Sequence, residues 1–81
     1  MTHLPEIWSC IRNNLPRAQW THLDDIYDIV ERNTSLDSED LNPQAPGSDI
    51  PKWKRNVRNV LQYRKRTREI QWDGGGKYRL L

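Results

Sequence analysis

The chain has 81 residues, which is room for one small domain, and 35% of them are hydrophobic, with no phenylalanine. Four tryptophans and three tyrosines must therefore supply much of the buried area. No apolar run approaches the roughly 20 residues of a membrane-spanning helix, and no charged leader precedes an apolar segment, so neither a membrane protein nor a secreted one is expected. The single cysteine, Cys10, excludes an internal disulfide and is typical of a reducing cytoplasm.

The net charge of +2 conceals a strong polarity along the chain. Residues 50–81 carry ten basic side chains against two acidic ones, a net +8, whereas residues 1–49 carry three against nine, a net −6. A basic field confined to one part of a molecule is typical of proteins that bind nucleic acids.

Two amphipathic helices are predicted in residues 1–32. The first covers residues 4–15, and its apolar stripe consists of Leu4, Ile7, Trp8, Ile11 and Leu15. A short extended piece at residues 17–20 follows it. The second helix starts at Thr21, where Asp24 three residues later indicates a start similar to a capping box. Its apolar stripe consists of Leu23, Ile26, Tyr27 and Val30.

Residues 33–49 are polar and interrupted by two prolines and a glycine, which predicts a loop with room for one short turn. The third helix covers residues 50–66, with Ser48 or Asp49 as its cap. Its inner side carries Trp53, Val57, Val60, Leu61 and Arg64. Its outer side carries Pro51, Lys52, Arg55, Arg58, Asn59, Gln62 and Arg66. Arg, Asn and Gln have the forked side chains that read base edges, although a solvated surface is the alternative.

Residues 69–80 predict a β-hairpin. Strand alternation places on its inner face Ile70, Trp72, Tyr78 and Leu80, while Lys77 and Arg79 point outward. Residues 73–76, Asp-Gly-Gly-Gly, form the turn, because glycine readily adopts the positive φ of tight hairpins. Three glycines also occur in phosphate-binding loops, but here no helix or lysine-serine pair follows them.

The order helix, short strand, helix, loop, helix and hairpin predicts an α+β, mainly helical fold, the winged helix-turn-helix. We expect one such domain over residues 1–81. In this fold the third helix enters the major groove of DNA and the hairpin, called the wing, lies along the backbone.

Two groups of side chains are predicted to contact double-stranded DNA. The residues predicted to contact base edges are Lys52, Trp53, Arg55 and Asn59. Phosphates are assigned to Lys54, Arg58, Gln62, Lys77 and Arg79. The helical phase of Trp53 also fits the core, which is the alternative for this residue. With about five phosphates neutralised, the affinity should fall steeply with salt.

The hairpin residues Ile70 and Trp72, with the run Gly-Gly-Gly-Lys-Tyr-Arg-Leu-Leu at residues 74–81, resemble the closing hairpin of the winged-helix domain in the DpnI family of restriction endonucleases. The resemblance extends over residues 6–7, 10–11, 20–27, 57–58 and 61–62. It implies a module that reads N6-methyladenine within GATC and targets a fused or associated restriction nuclease to it. The start of the third helix departs from the family, so Trp53 as a methyl-contacting residue is a hypothesis.

Catalysis, a metal and a cofactor are not expected. Two histidines and one cysteine make no standard zinc set, and Cys10 has the apolar helical neighbours of a core residue. The acids Asp37, Glu39 and Asp40 cluster without the glycine and spacing of a calcium loop. No motif pairs a nucleophile with a histidine base.

Three functions stay open from the sequence. The first is the methyladenine-reading DNA module. The second is a winged helix that binds DNA regardless of methylation, as a regulator or a nuclease accessory domain. The third is a winged helix whose acidic half contacts another protein. No heptad pattern indicates a dimer, so a cytoplasmic monomer is expected.

Overall fold

A computed structural model of the chain describes residues 3–81. Within them the elements follow in the order α1 (Leu4–Asn14), β1 (Thr21–His22), α2 (Leu23–Asn33), α3 (Ser38–Leu41), α4 (Lys52–Arg66), β2 (Ile70–Trp72) and β3 (Lys77–Leu80). This order confirms the α+β winged-helix arrangement, with α4 as the predicted third helix. None of the helices in residues 3–81 combines the length and apolarity that crossing a bilayer would require.

The core lies where α1, α2 and α4 meet and is closed by the sheet. Its fully buried side chains include Ile7, Ile11, Ile26, Val30, Val57 and Leu61. Each side chain of this size stabilises the fold by about 1.5–3 kcal/mol when buried. The predicted stripes of the first two helices are confirmed except at Leu4, which is 46% exposed at the start of α1.

The start of α2 differs from the prediction. Thr21 lies in β1, and the helix begins at Leu23 with His22 as its N-cap, so the expected capping box at Thr21 is wrong. The Leu23 N–H donates to the carbonyl oxygen of Gly76 at 2.9 Å. The hydrogen bond that orders this helix start therefore comes from the wing, and no local sequence pattern could have predicted it.

The short strand is also displaced from its predicted position. It lies at residues 21–22 and not at 17–20. Arg17 makes an isolated bridge with Leu80, and Ala18 then takes a positive φ of 60° that interrupts extended backbone. Pairing with β3, which contributes Tyr78 opposite Thr21, decides where the strand forms.

The polar loop contains α3, as the predicted short turn. Its start is a capping box, in which the Asp40 N–H donates to the Asp37 carboxylate at 2.9 Å and the Asp37 N–H donates to Asp40 at 3.0 Å. The clustered acids therefore organise a helix start, and the buried carboxylate of Asp40 accepts a backbone hydrogen bond there.

The N-terminus of α4 is fixed by the loop before it. The helix begins at Lys52 with Pro51 as N-cap, so neither Ser48 nor Asp49 caps it as predicted. The Lys52 N–H donates to the carbonyl oxygen of Asn42 at 2.8 Å, which holds the loop beside the helix. The loop is consequently part of the surface on which α4 is presented.

The three strands form an antiparallel sheet in the order β1-β3-β2. Tyr78 and Leu80 of β3 and Ile70 of β2 are buried against the helices, as predicted. Trp72 is the exception among the predicted inner-face residues, since 43% of its surface is exposed. It ends β2 at the surface, so the prediction that it fills the core is wrong.

Candidate nucleic-acid interface

Two half-buried arginines, Arg55 and Arg58, lie on the outer side of α4. Within residues 3–81, their Nε atoms are the buried side-chain polar atoms that have no hydrogen-bond partner. Leaving such a donor unsatisfied costs about 1–3 kcal/mol. Arg58 also donates through Nη2 to the Gln44 amide oxygen at 3.4 Å, a contact from the preceding loop. Both guanidinium groups are thus partly stripped of water before any ligand arrives.

Aromatic side chains of α2 and the wing surround the Arg58 side of α4. Burial raises the pKa of the Tyr27 and Tyr78 hydroxyls, and the nearby positive charge of Arg58 acts in the opposite direction. Lys54 places its Nζ atom 5.1 Å from the centroid of the Tyr27 ring. Lys54 is therefore held against α2 by ring contacts, and the charge of Arg58 lies near the Tyr27 and Tyr78 hydroxyls.

Trp53 is only 3% exposed. Its ring lies 5.7 Å from the Tyr27 ring at an interplanar angle of 83°, an edge-to-face contact, and Lys54 covers it at 5.6 Å. Trp53 therefore lies in the core, which was the alternative prediction for this residue. A buried indole does not reach a base edge, so the assignment of Trp53 to base reading is corrected.

The remaining base-reading residues take different positions on α4. Lys52 turns toward α3, with Nζ 3.9 Å from the Glu39 carboxylate, a long ion pair at the surface. Asn59 and Gln62 are exposed, and with Arg55 they follow the i, i+4, i+7 spacing of one helix face. Asn59 also borders a hollow against α1, whereas Arg55, one turn earlier on the same face, is half-buried.

Arg79 and Lys77, the two wing residues predicted to contact phosphates, lie in different surroundings. Arg79 donates from Nε to the Gln71 amide oxygen at 3.1 Å, and its guanidinium carbon lies 4.6 Å from the centroid of the Trp20 ring. It belongs to the sheet face that points away from the helices, since its neighbours Tyr78 and Leu80 are buried. The structure therefore does not bring Arg79 together with the outer face of α4.

Lys77 lies near acids at the turn of the wing. The Asp73 carboxylate accepts hydrogen bonds from the backbone N–H groups of Gly75 at 2.7 Å and Lys77 at 3.0 Å, and these bonds lower the pKa of Asp73. The Leu23–Gly76 hydrogen bond also brings the start of α2, with its acidic pair at residues 24–25, to the same end of the sheet. A phosphate would therefore meet mixed charges there, which weakens the contribution expected from Lys77.

Sequence reasoning missed a second group of cations and aromatic rings. At the C-terminal end of α4, the Nζ atom of Lys65 lies 4.8 Å from the centroid of the exposed Trp72 ring. Trp20, treated as part of a connector, is also 43% exposed. The alternation of inward and outward side chains along a strand could have indicated the exposure of Trp20. Trp20 precedes the strand residue Thr21 and so shares the outward face with Arg79.

Three side chains considered for catalysis or metal binding have hydrogen-bond partners within the described residues. The thiol of Cys10 is buried, which raises its pKa, and it lies 3.8 Å from the carbonyl oxygen of Ile29. Asp37 and Asp40 bond to each other's backbone. Within residues 3–81, no group of three or more His, Cys, Asp or Glu side chains is arranged to hold a metal ion.

Comparison of the chain with protein-family models, with curated proteins and with solved structures found no match.

Proposed function

We propose that this chain is a double-stranded DNA-binding module that places the outer face of α4 in the major groove. The observation that carries the proposal is the pair Arg55 and Arg58, whose buried Nε donors have no partner within residues 3–81. Guanidinium groups match both guanine edges and phosphates, and here part of their desolvation cost is already met in the free protein. The net charge of +8 over residues 50–81 supplies the long-range attraction.

The roles follow from position on the helix. Arg55 and Asn59, one turn apart on the outer face, are the proposed base readers. Lys54 and Arg58, held on the wing side, and Gln62, further along the exposed face, are the proposed phosphate contacts. Lys52 exchanges its long ion pair with Glu39 for a phosphate or base edge. Lys77 contributes least, because of the acids around it.

The finer part of the proposal concerns methylation. The resemblance of the hairpin and of α2 to the DpnI family supports DNA with N6-methyladenine in GATC as the ligand. It also supports a fused or associated restriction nuclease in the cytoplasm as the partner. The methyl group projects into the major groove, where α4 is proposed to lie. Burying one methyl group contributes only about 0.8 kcal/mol, so strong discrimination requires both methyl groups of the palindrome.

The experiment is a titration of the chain against one GATC duplex in its fully methylated, hemimethylated and unmethylated forms, at two salt concentrations. We expect affinity to fall steeply with salt and to rank with the number of methyl groups. Equal, salt-sensitive binding to all three duplexes would favour the methylation-indifferent winged helix. Absence of salt-sensitive binding would contradict DNA binding and favour a protein contact through the acidic half.

Two variants of α4 and one control variant on α2 test whether binding is specific to α4. Arg55→Ala should weaken binding by about 1–3 kcal/mol and relax sequence preference, as loss of a base reader does. Arg58→Ala should weaken all duplexes equally and lower the salt slope. Arg32→Ala is the matched control, since Arg32 is an exposed arginine on α2 that bonds only locally, to the Asp28 carbonyl oxygen. Equal effects of all three variants would show that net charge alone drives binding.

A further inference from the structure

A second basic surface lies at the other end of α4, away from Arg55 and Arg58. There, the lining of a cleft of about 500 Å³ includes Trp20, Lys65, Arg68, Gln71, Trp72 and Arg79, and its aliphatic part consists of Ile70 and Leu81. Its size is within the range of about 300–1,000 Å³ found for small-ligand sites. The proposed DNA-reading face of α4 contributes none of these described lining residues, so the cleft is a distinct site.

The aromatic part of the cleft consists of two tryptophans. Trp20 and Trp72 are each 43% exposed, although burying an indole is among the largest stabilising contributions available to so small a domain. Each indole has a cation beside it, with Arg79 at 4.6 Å from the Trp20 centroid and Lys65 at 4.8 Å from the Trp72 centroid. Flat, exposed rings next to cations are the combination with which proteins bind bases and their phosphates together.

The described side chains that line the cleft include three cations and no carboxylate. Lys65, Arg68 and Arg79 line it, and the neighbouring carboxylate of Glu69 is occupied by the Thr67 hydroxyl at 2.8 Å and by Arg64 at 2.9 Å. The Gln71 oxygen accepts from Arg79, which leaves the amide N–H groups of Gln71 to donate to a ligand. The cleft therefore offers stacking surfaces, anion-binding groups and hydrogen-bond donors.

We propose that this cleft binds an unpaired nucleotide of a nucleic-acid strand, with the base stacked on an indole and its phosphates against Arg68 and Arg79. An intact duplex does not fit this chemistry, because its bases are stacked on each other and present no face to a tryptophan. An unpaired strand presents such faces whatever its sequence. The inference goes beyond the proposed duplex-binding function and uses a different surface.

The test is a titration of the whole chain with a short single-stranded oligothymidylate, followed by tryptophan fluorescence. Trp8 and Trp53 are buried, so quenching by a stacked base would report on Trp20 and Trp72. We expect Trp72→Ala or Trp20→Ala to weaken binding about tenfold, the effect of losing one base–aromatic stack. Trp72→Phe should retain most of the affinity, and thermal unfolding of each variant would verify that the domain remains folded.

Controls separate this inference from the duplex-binding proposal. Arg55→Ala with Arg58→Ala should leave oligothymidylate binding unchanged while weakening the duplex. Absence of quenching, or quenching that both tryptophan variants retain, would overturn the inference. Displacement of the oligonucleotide by an equal concentration of polyglutamate would also overturn it, since that would show binding by charge alone.

Discussion

The two ends of α4 are both basic, with four cations in residues 52–58 and three in residues 64–66, but they differ in how these cations are held. In the N-terminal half, Lys54 lies over aromatic rings and Arg58 bonds to the preceding loop, around a buried Trp53. In the C-terminal half, Lys65 lies over an exposed Trp72, and Arg66 is exposed. The segments packed against a basic helix, more than its charge, therefore decide whether its cations are fixed by contacts or lie beside exposed rings.

Truncation of the two tryptophans should separate the two ends most clearly. Trp53→Ala should destabilise the domain by about 3–5 kcal/mol, because it leaves a cavity in the core. Trp72→Ala should cost less than about 2 kcal/mol, since much of that ring is already in water. Urea unfolding of both variants measures the difference. Equal losses would contradict the division of α4 into a packed end and an open end.

A smaller loss of stability is expected at Arg64, which is the packed cation within the otherwise open C-terminal half of α4. Its guanidinium carbon lies 4.9 Å from the Trp8 centroid, and the group also bonds to Glu69. Arg64→Ala should destabilise the fold by about 0.5–2 kcal/mol, the range of a partly buried cation–ring contact. Arg66→Ala, which removes a neighbouring exposed cation, is the control. Urea midpoints that move equally would show that Arg64 is not structural.

The pH dependence of stability tests how the wing is held. Hydrogen bonds from Gly75 and Lys77 lower the pKa of Asp73 in the folded state, so the stabilisation is present above the unfolded pKa. It is lost as pH falls below about 5 and through the folded pKa. Asp73→Asn should therefore lower the thermal midpoint at neutral pH, by an amount that shrinks in acid. Asp49→Asn, at an exposed loop position, is the charge-matched control, and a parallel pH profile for both variants would contradict this account.

The smallest effect concerns Cys10, on the packed side of the molecule. Because burial raises the pKa of its thiol, modification by a thiol reagent near neutral pH should be slow in the native chain. Trp72→Ala should leave this rate almost unchanged, whereas Trp53→Ala should accelerate it by increasing the open population. Fast modification of the native chain would show that α1 is not closed over the core.

Much of the fold follows from local patterns. The spacing of Ile26 and Val30 predicted a helix stripe, and the glycine turn predicted a hairpin whose Tyr78 faces inward. Both predictions are confirmed because each depends on the periodicity of side chains within one element, 3.6 residues in the helix and two in the strand. The start of α2 was missed because its ordering hydrogen bond comes from Gly76, far along the chain.

The candidate site divides in the same way. The concentration of cations in residues 50–81 and the shared helix face of Arg55, Asn59 and Gln62 can be read from the residue order. The burial of Trp53 and the exposure of Trp72 cannot, because both side chains have an inward phase. Periodicity gives the direction of a side chain within its own element. Its burial depends on how far the neighbouring elements extend, and that is set by long-range packing.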